Sequence, residues 1–152
     1  MADAQASTAA RHREVTILIV DDDDVDRKGL RRALKQMRLA NPIAEAHDGL
    51  EALALLRGGD GRGPLQPPFI ILLDLNMPRM NGIEFLDEIR ADPALQTAVV
   101  FVLTTSMDEK DRLAAHQRNV AGYIIKSDAR NSFREALSLI DHYWRVVELP
   151  GA

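Results

Sequence analysis

Asp21, Asp22, Asp74, Thr104, Thr105 and Lys126 share an unusual setting, because each directly follows a short apolar run or closes it. "VTILIV" (15–20) ends on Asp21 and Asp22, and "FIILL" (69–73) ends on Asp74. "AVVFVL" (98–103) is followed by Thr104 and Thr105, and the "YII" of 123–125 by Lys126. A buried strand has no structural need for an acid at its end. If these strands lie side by side, three carboxylates, two hydroxyls and an ammonium gather at one edge. Neighbouring strands sit roughly 4.8 Å apart, so carboxylates on adjacent strands repel unless something neutralises them. A hard divalent cation does that. Mg2+ takes oxygen ligands and commonly bridges carboxylates to a phosphoryl oxygen. A lysine and a threonine hydroxyl would be donors to the remaining phosphoryl oxygens. The set suits an aspartyl phosphate.

The elements that must position these residues alternate along the chain. Leu30, Ala33, Leu34 and Met37 follow the first strand at helical spacing. A weaker strand, "IAEA" (43–46), precedes a helix carrying Ala52, Leu53 and Leu56. "GGDGRGPLQPP" (58–68) is a Gly/Pro-rich loop. Ile83, Leu86 and Ile89 mark a third helix. "DEKDRLAAHQRN" (108–119) is the least amphipathic helix, and Phe133, Leu137, Ile140 and Trp144 mark the last. Five strands alternating with five helices imply an α/β fold with right-handed crossovers and a doubly wound parallel sheet. In such sheets ligands bind beyond the carboxyl ends of the strands.

At 152 residues the chain is expected to form one domain. Residues 1–13 are small and polar without periodicity and read as a disordered lead-in. A net charge of −4 gives no electrostatic reason to approach nucleic acid or an anionic membrane. The absence of cysteine excludes disulfides and thiolate metal sites. No apolar run reaches the ~18 residues of a membrane span, and no signal-peptide core is present, so a cytoplasmic location is expected.

"LIVDDDDVDR", "ILLDLNMPRMNG", "VLTTS" and "AGYIIK", in order and at strand ends, together resemble the receiver domain of two-component response regulators over about residues 14–145. The resemblance implies a flavodoxin-like (βα)5 fold with strand order 2-1-3-4-5. It places the phosphoacceptor on Asp74 and the acidic metal pair on Asp21 and Asp22. Asn76 would add its backbone carbonyl to a Mg2+ shell completed by Asp74. The phosphoryl-binding hydroxyl falls on Thr104, the lysine on Lys126, and the aromatic switch that follows Thr104 on Tyr123. A sensor histidine kinase is the implied donor, and the protein would catalyse only its own phosphorylation and dephosphorylation. The 58–68 insertion, the Lys126-Ser127 pair and the ending "HYWRVVELP" resemble single-domain regulators paired with bacterial and cyanobacterial phytochrome kinases. One departure is Ser127, where the family usually has proline, often cis. A non-proline cis bond costs ~2.5–4 kcal/mol, so the loop either keeps cis under strain or re-aims Lys126.

Other readings compete. A haloacid-dehalogenase-type phosphatase also uses a strand-end Asp and Mg2+, but it needs a second acid two residues on, where this chain has Asn76. A receiver used purely as a binding module would have no need of the intact Asp, Thr and Lys. Among plainer roles, Asp23 or Asp24 suits an N-cap and Asp26 the positive end of a helix dipole. Asn81-Gly82 reads as a helix start, Met77, Met80 and Met107 as packing residues, and the histidines show no metal spacing. The tail at 146–152 is expected to act as a dimer arm, with Tyr143, Trp144, Val147 and Leu149 at a homodimer interface. The alternative is a tail folded back on its own domain.

Overall fold

In a computed structural model the described residues are 15–37, 41–59, 61, 63–126, 137–143 and 149–150. The strands are β1 (Thr16–Val20), β2 (Ile43–Ala46), β3 (Phe69–Leu73), β4 (Val99–Thr104) and β5 (Gly122–Ile125). Between them run α1 (Asp24–Gln36), α2 (Gly49–Arg57), α3 (Gly82–Ala91) and α4 (Glu109–Gln117). Residues 137–143 form a further helical segment, α5. All pairings are parallel, in the order β2-β1-β3-β4-β5. The sheet and its order agree with the expectation.

Strand side chains alternate between two faces, and this alternation decides which helices cover which residues. Leu18, Val20, Ile71, Leu73 and Val100 pack with Leu53 and Leu56 of α2 and Phe85, Leu86 and Ile89 of α3. Their neighbours Ile17, Ile19, Ile70, Leu72, Phe101 and Leu103 pack with Leu30 and Leu34 of α1 and Leu137 and Ile140 of α5. Burial on both faces explains why β1 and β3 read as unbroken apolar runs. Helix α4 buries only Ala115, which sits over Leu75 and Val102. The helix that reads as least amphipathic in the sequence is thus lightly packed.

The N-caps fall where their chemistry demands. Asp23 caps α1 by accepting from the Val25 and Asp26 amides, and Asn81 caps α3 in a capping box with Glu84. Asp108 caps α4 by accepting from the Lys110 amide. In the Gly/Pro-rich loop, Gly58 ends α2 with φ at 80°.

Two expectations need correction. Met107 does not pack but is 67% exposed. Leu149, expected on a dimer arm, is buried in its own chain with Ile17, Leu30 and Ile140, and only 6% of it is exposed. Tyr143 is half-buried against the same cluster, its ring edge-on to Phe101 at 5.3 Å. Both match the fold-back alternative. Trp144, Val146 and Val147 lie outside the described residues, as do the 1–13 lead and Ser127.

Candidate functional site

Register carries the acids to one level. Val20 pairs with Leu73, so Asp21 and Asp74 emerge side by side, and the Asp74 amide donates to the Val20 carbonyl at 2.9 Å. Asp21, Asp22 and Asp74 each offer a carboxylate oxygen within 4.8 Å of the others. Asp21 and Asp74 are buried while Asp22 is exposed, which leaves the cluster open on one side. Three hard oxygen donors in an open arrangement fit a divalent cation such as Mg2+ or Mn2+, which keeps some of its waters.

The basic and hydroxyl partners come from the other side of β3. The Lys126 amide donates to the Thr104 carbonyl at 2.8 Å, fixing the end of β5 against β4. The Lys126 ammonium donates to Asp21 at 2.5 Å and to Asp26 at 2.9 Å, with Asp74 at 3.7 Å. Burial pushes the Asp21 carboxyl above its ordinary range against the pull of Lys126. Burial also opposes the lysine's charge, but Asp21, Asp26 and Asp74 outweigh it and raise the ammonium above its usual value. Lys126 is therefore charged at neutral pH. Thr104, which closes β4, is fully buried, whereas Thr105 is exposed.

The loop after Asp74 is held by its far end. Gly82 donates its amide to the Leu75 carbonyl at 2.9 Å. A methyl group on Gly82 would stand 2.7 Å from the Asp74 carbonyl oxygen, so no larger residue lets α3 approach this closely. Arg79, with φ at 65°, forms an ion pair with the buried Asp48, which also caps α2. Asn76 is exposed, and its amide lies 3.4 Å from an Asp74 carboxylate oxygen. With Asp22, Met77, Ile83 and Asp111 it lines an open recess of about 410 Å3 beside the acids.

Ser106 joins this site to α4. Its amide donates to the Thr104 hydroxyl at 3.2 Å, and its hydroxyl donates to Asp111 at 2.5 Å. Its carbonyl accepts from the Tyr123 hydroxyl at 2.9 Å. The Arg112 guanidinium lies 5.8 Å from the Tyr123 ring centre. Burial, with Asp111 nearby, raises the Tyr123 phenol above its ordinary pKa.

The structure thus brings the side chains of Asp21, Asp22, Asp74 and Lys126 together, with Thr104 bonded to Lys126 through its backbone carbonyl. Sequence reasoning missed the contacts of Asp26, Arg27 and Ser106. Arg27 is buried, and its guanidinium donates to the Asp21 carbonyl at 2.6 Å. Only its place one turn past the acids could have signalled it.

Residues 17–138 match the response regulator receiver domain. The chain belongs to that family. Among curated relatives, response regulator Rcp1 of Synechocystis sp. is 34% identical over 137 residues, spanning 90% of this chain and 93% of Rcp1. The crystal structure of Mn(2+)-bound Rcp1 superposes with a TM-score of 0.77 at 35% identity, covering 89% of this chain and 98% of that one. The phosphorylated cyanobacterial phytochrome response regulator RcpA gives a TM-score of 0.77 at 32% identity, with 90% and 99% covered. Receiver domains are signalling proteins, and the acidic cluster of this receiver suits both a divalent cation and an aspartyl phosphate. Among the described residues, no helix is long and apolar enough to cross a membrane.

Proposed function

We propose that this receiver is a single-domain response regulator that accepts a phosphoryl group on Asp74 from a histidine kinase of the phytochrome type. The observation that carries the reading is the placement of Asp74. It is a strand-end carboxylate flanked by two further acids on one side and by Lys126 and the strand-end Thr104 on the other. An Asp74 oxygen forms the new bond to phosphorus while the phosphorus–nitrogen bond of a phosphohistidine breaks, the imidazole leaving with a proton from solvent. Asp21, Asp22, Asp74 and the Asn76 carbonyl would hold Mg2+, whose charge, when bound, offsets the charge gathered at the phosphoryl oxygens. Lys126 would donate to one phosphoryl oxygen and the Thr104 hydroxyl to another. The phytochrome-linked relatives support the choice of kinase.

Signalling then follows from Ser106. When Thr104 turns to a phosphoryl oxygen, the loop bonded to it shifts, and that loop holds both Tyr123 and the first turn of α4. Helix α4 buries one residue and is easily displaced, so the face formed by α4, β5 and α5 changes for a protein partner.

Acetyl phosphate with Mg2+ tests the reading. The intact mass should rise by one phosphoryl group, about 80 Da, and Asp74→Asn should gain none. Undiminished labelling of Asp74→Asn, or no labelling of the wild type by either acetyl phosphate or a phytochrome kinase, overturns the assignment.

A further inference from the structure

The Lys126 ammonium has three N–H donors, and two are already taken by carboxylates. Asp21 holds one at 2.5 Å and Asp26 another at 2.9 Å, whereas Asp74 stands at 3.7 Å, beyond hydrogen-bond range. Asp26 belongs to neither the acidic cluster nor the strand ends. It lies in the first turn of α1, with its amide bonded to the Asp23 cap at 3.3 Å. The next residue, Arg27, points the opposite charge at the Asp21 carbonyl. The first turn of α1 therefore grips both the acidic loop and the lysine.

Resting on the phosphoacceptor reading above, we infer that Asp26 is a positioning residue that draws Lys126 away from Asp74 and slows phosphoryl uptake. The lysine is 9% exposed and the Asp26 side chain 40% exposed, so the ion pair is shielded on the lysine's side and stronger than a fully solvated one. With Asp21 engaged by a divalent cation, Asp26 would be the carboxylate still hydrogen-bonded to the ammonium and competing with a phosphoryl oxygen for it. Removing its charge frees that donor for the oxygens of the incoming group. The bonding change at Asp74 is unaltered: its oxygen bonds to phosphorus and acetate leaves acetyl phosphate.

The experiment compares phosphorylation rates with acetyl phosphate at saturating Mg2+ for wild type, Asp26→Asn, Asp26→Glu and Asp24→Asn, following intact mass over time. Asp24 is the control for bulk charge. It sits in the same turn of α1 but pairs with Arg27 and Lys28. Asp26→Asn should accelerate uptake by roughly fivefold, the scale of one partly exposed charged contact. Asp26→Glu should stay near the wild-type rate, and Asp24→Asn should change little. A gain in rate is not what a damaged fold produces. An unchanged or slower Asp26→Asn overturns the inference, as does an equal acceleration by Asp24→Asn, which would assign the effect to net charge. Wild-type labelling and its loss in Asp74→Asn report on the underlying reading separately.

Discussion

Gly82 offers the sharpest test of how the phosphoacceptor loop is held. It opens α3, and a Cβ placed there would lie 2.7 Å from the Asp74 carbonyl oxygen, 2.7 Å from Leu75 Cα and 2.8 Å from Leu75 Cδ2. Carbon–oxygen contacts settle near roughly 3.3–3.6 Å and carbon–carbon contacts near roughly 3.5–4.0 Å. Gly82→Ala must therefore move α3 or the loop by roughly 0.6–1.3 Å. Two of the three contacts are backbone, which cannot swing aside as a side chain could. Overpacking of this kind costs about 1–3 kcal/mol. Gly29, in the middle of α1, is the matched control, since nothing lies within 4 Å of its added methyl. Gly29→Ala should stabilise by about 0.5–1 kcal/mol through helix propensity alone. With a urea slope of about 2 kcal/mol/M, the Gly82 variant should unfold roughly 0.5–1.5 M earlier and the Gly29 variant slightly later. Urea titration followed by circular dichroism reads both. The Gly82 variant should also label more slowly at Asp74, because the displaced segment begins at that residue's own carbonyl. If Gly82→Ala matches wild type in both midpoint and labelling rate, the close approach of α3 does not position the loop.

Two further perturbations probe other joints of the fold. Burial raises the Asp48 carboxyl, but the Glu51 amide and the Arg79 guanidinium outweigh it, so the folded pKa lies below the ordinary 3.8. Its stabilisation is present above 3.8 and is lost as pH falls through the lower, folded value. Asp48→Asn should thus lower the melting temperature at neutral pH and flatten its decline below about pH 4. A decline as steep as wild type would assign acid sensitivity to other groups. Leu149→Ala should destabilise by ~2–3 kcal/mol, the lower part of the range for a buried leucine. That loss should be the same at all protein concentrations, whereas a midpoint that depends on concentration in wild type and not in the variant would return Leu149 to a dimer interface.

The sheet and its site were legible because each rests on a local rule. Burial on both faces requires continuous apolar runs in β1 and β3, and the abrupt change to Asp21 and Asp74 at their ends has no packing explanation. Parallel strands in one register then bring those ends together without further information. The order β2-β1-β3-β4-β5 came from family resemblance, since alternation alone does not choose among strand orders. Met107 was misjudged because methionine packs in most contexts, and nothing in its neighbours signals that the β4–α4 loop holds it outward.

Leu149 and Asp26 have partners that the sequence does not display, for a deeper reason. An apolar cluster states that residues avoid water, not whether their own chain or another one covers them. Leu149 is buried in a cluster with residues of β1 and α1, far earlier in the chain, and no local pattern reports that distance. Asp26 was hidden differently. A carboxylate in the first turn of a helix is favourable by itself, so its presence already had a sufficient cause. Yet the geometry that suits the helix dipole also points the side chain toward the carboxyl edge of the sheet, where β5 delivers Lys126. A residue can satisfy a local rule and a distant partner together, and the sequence then displays only the local rule. The Asp26→Asn substitution keeps a polar side chain of the same shape in the first turn of α1 while removing the ionic contact, which is why it separates the two.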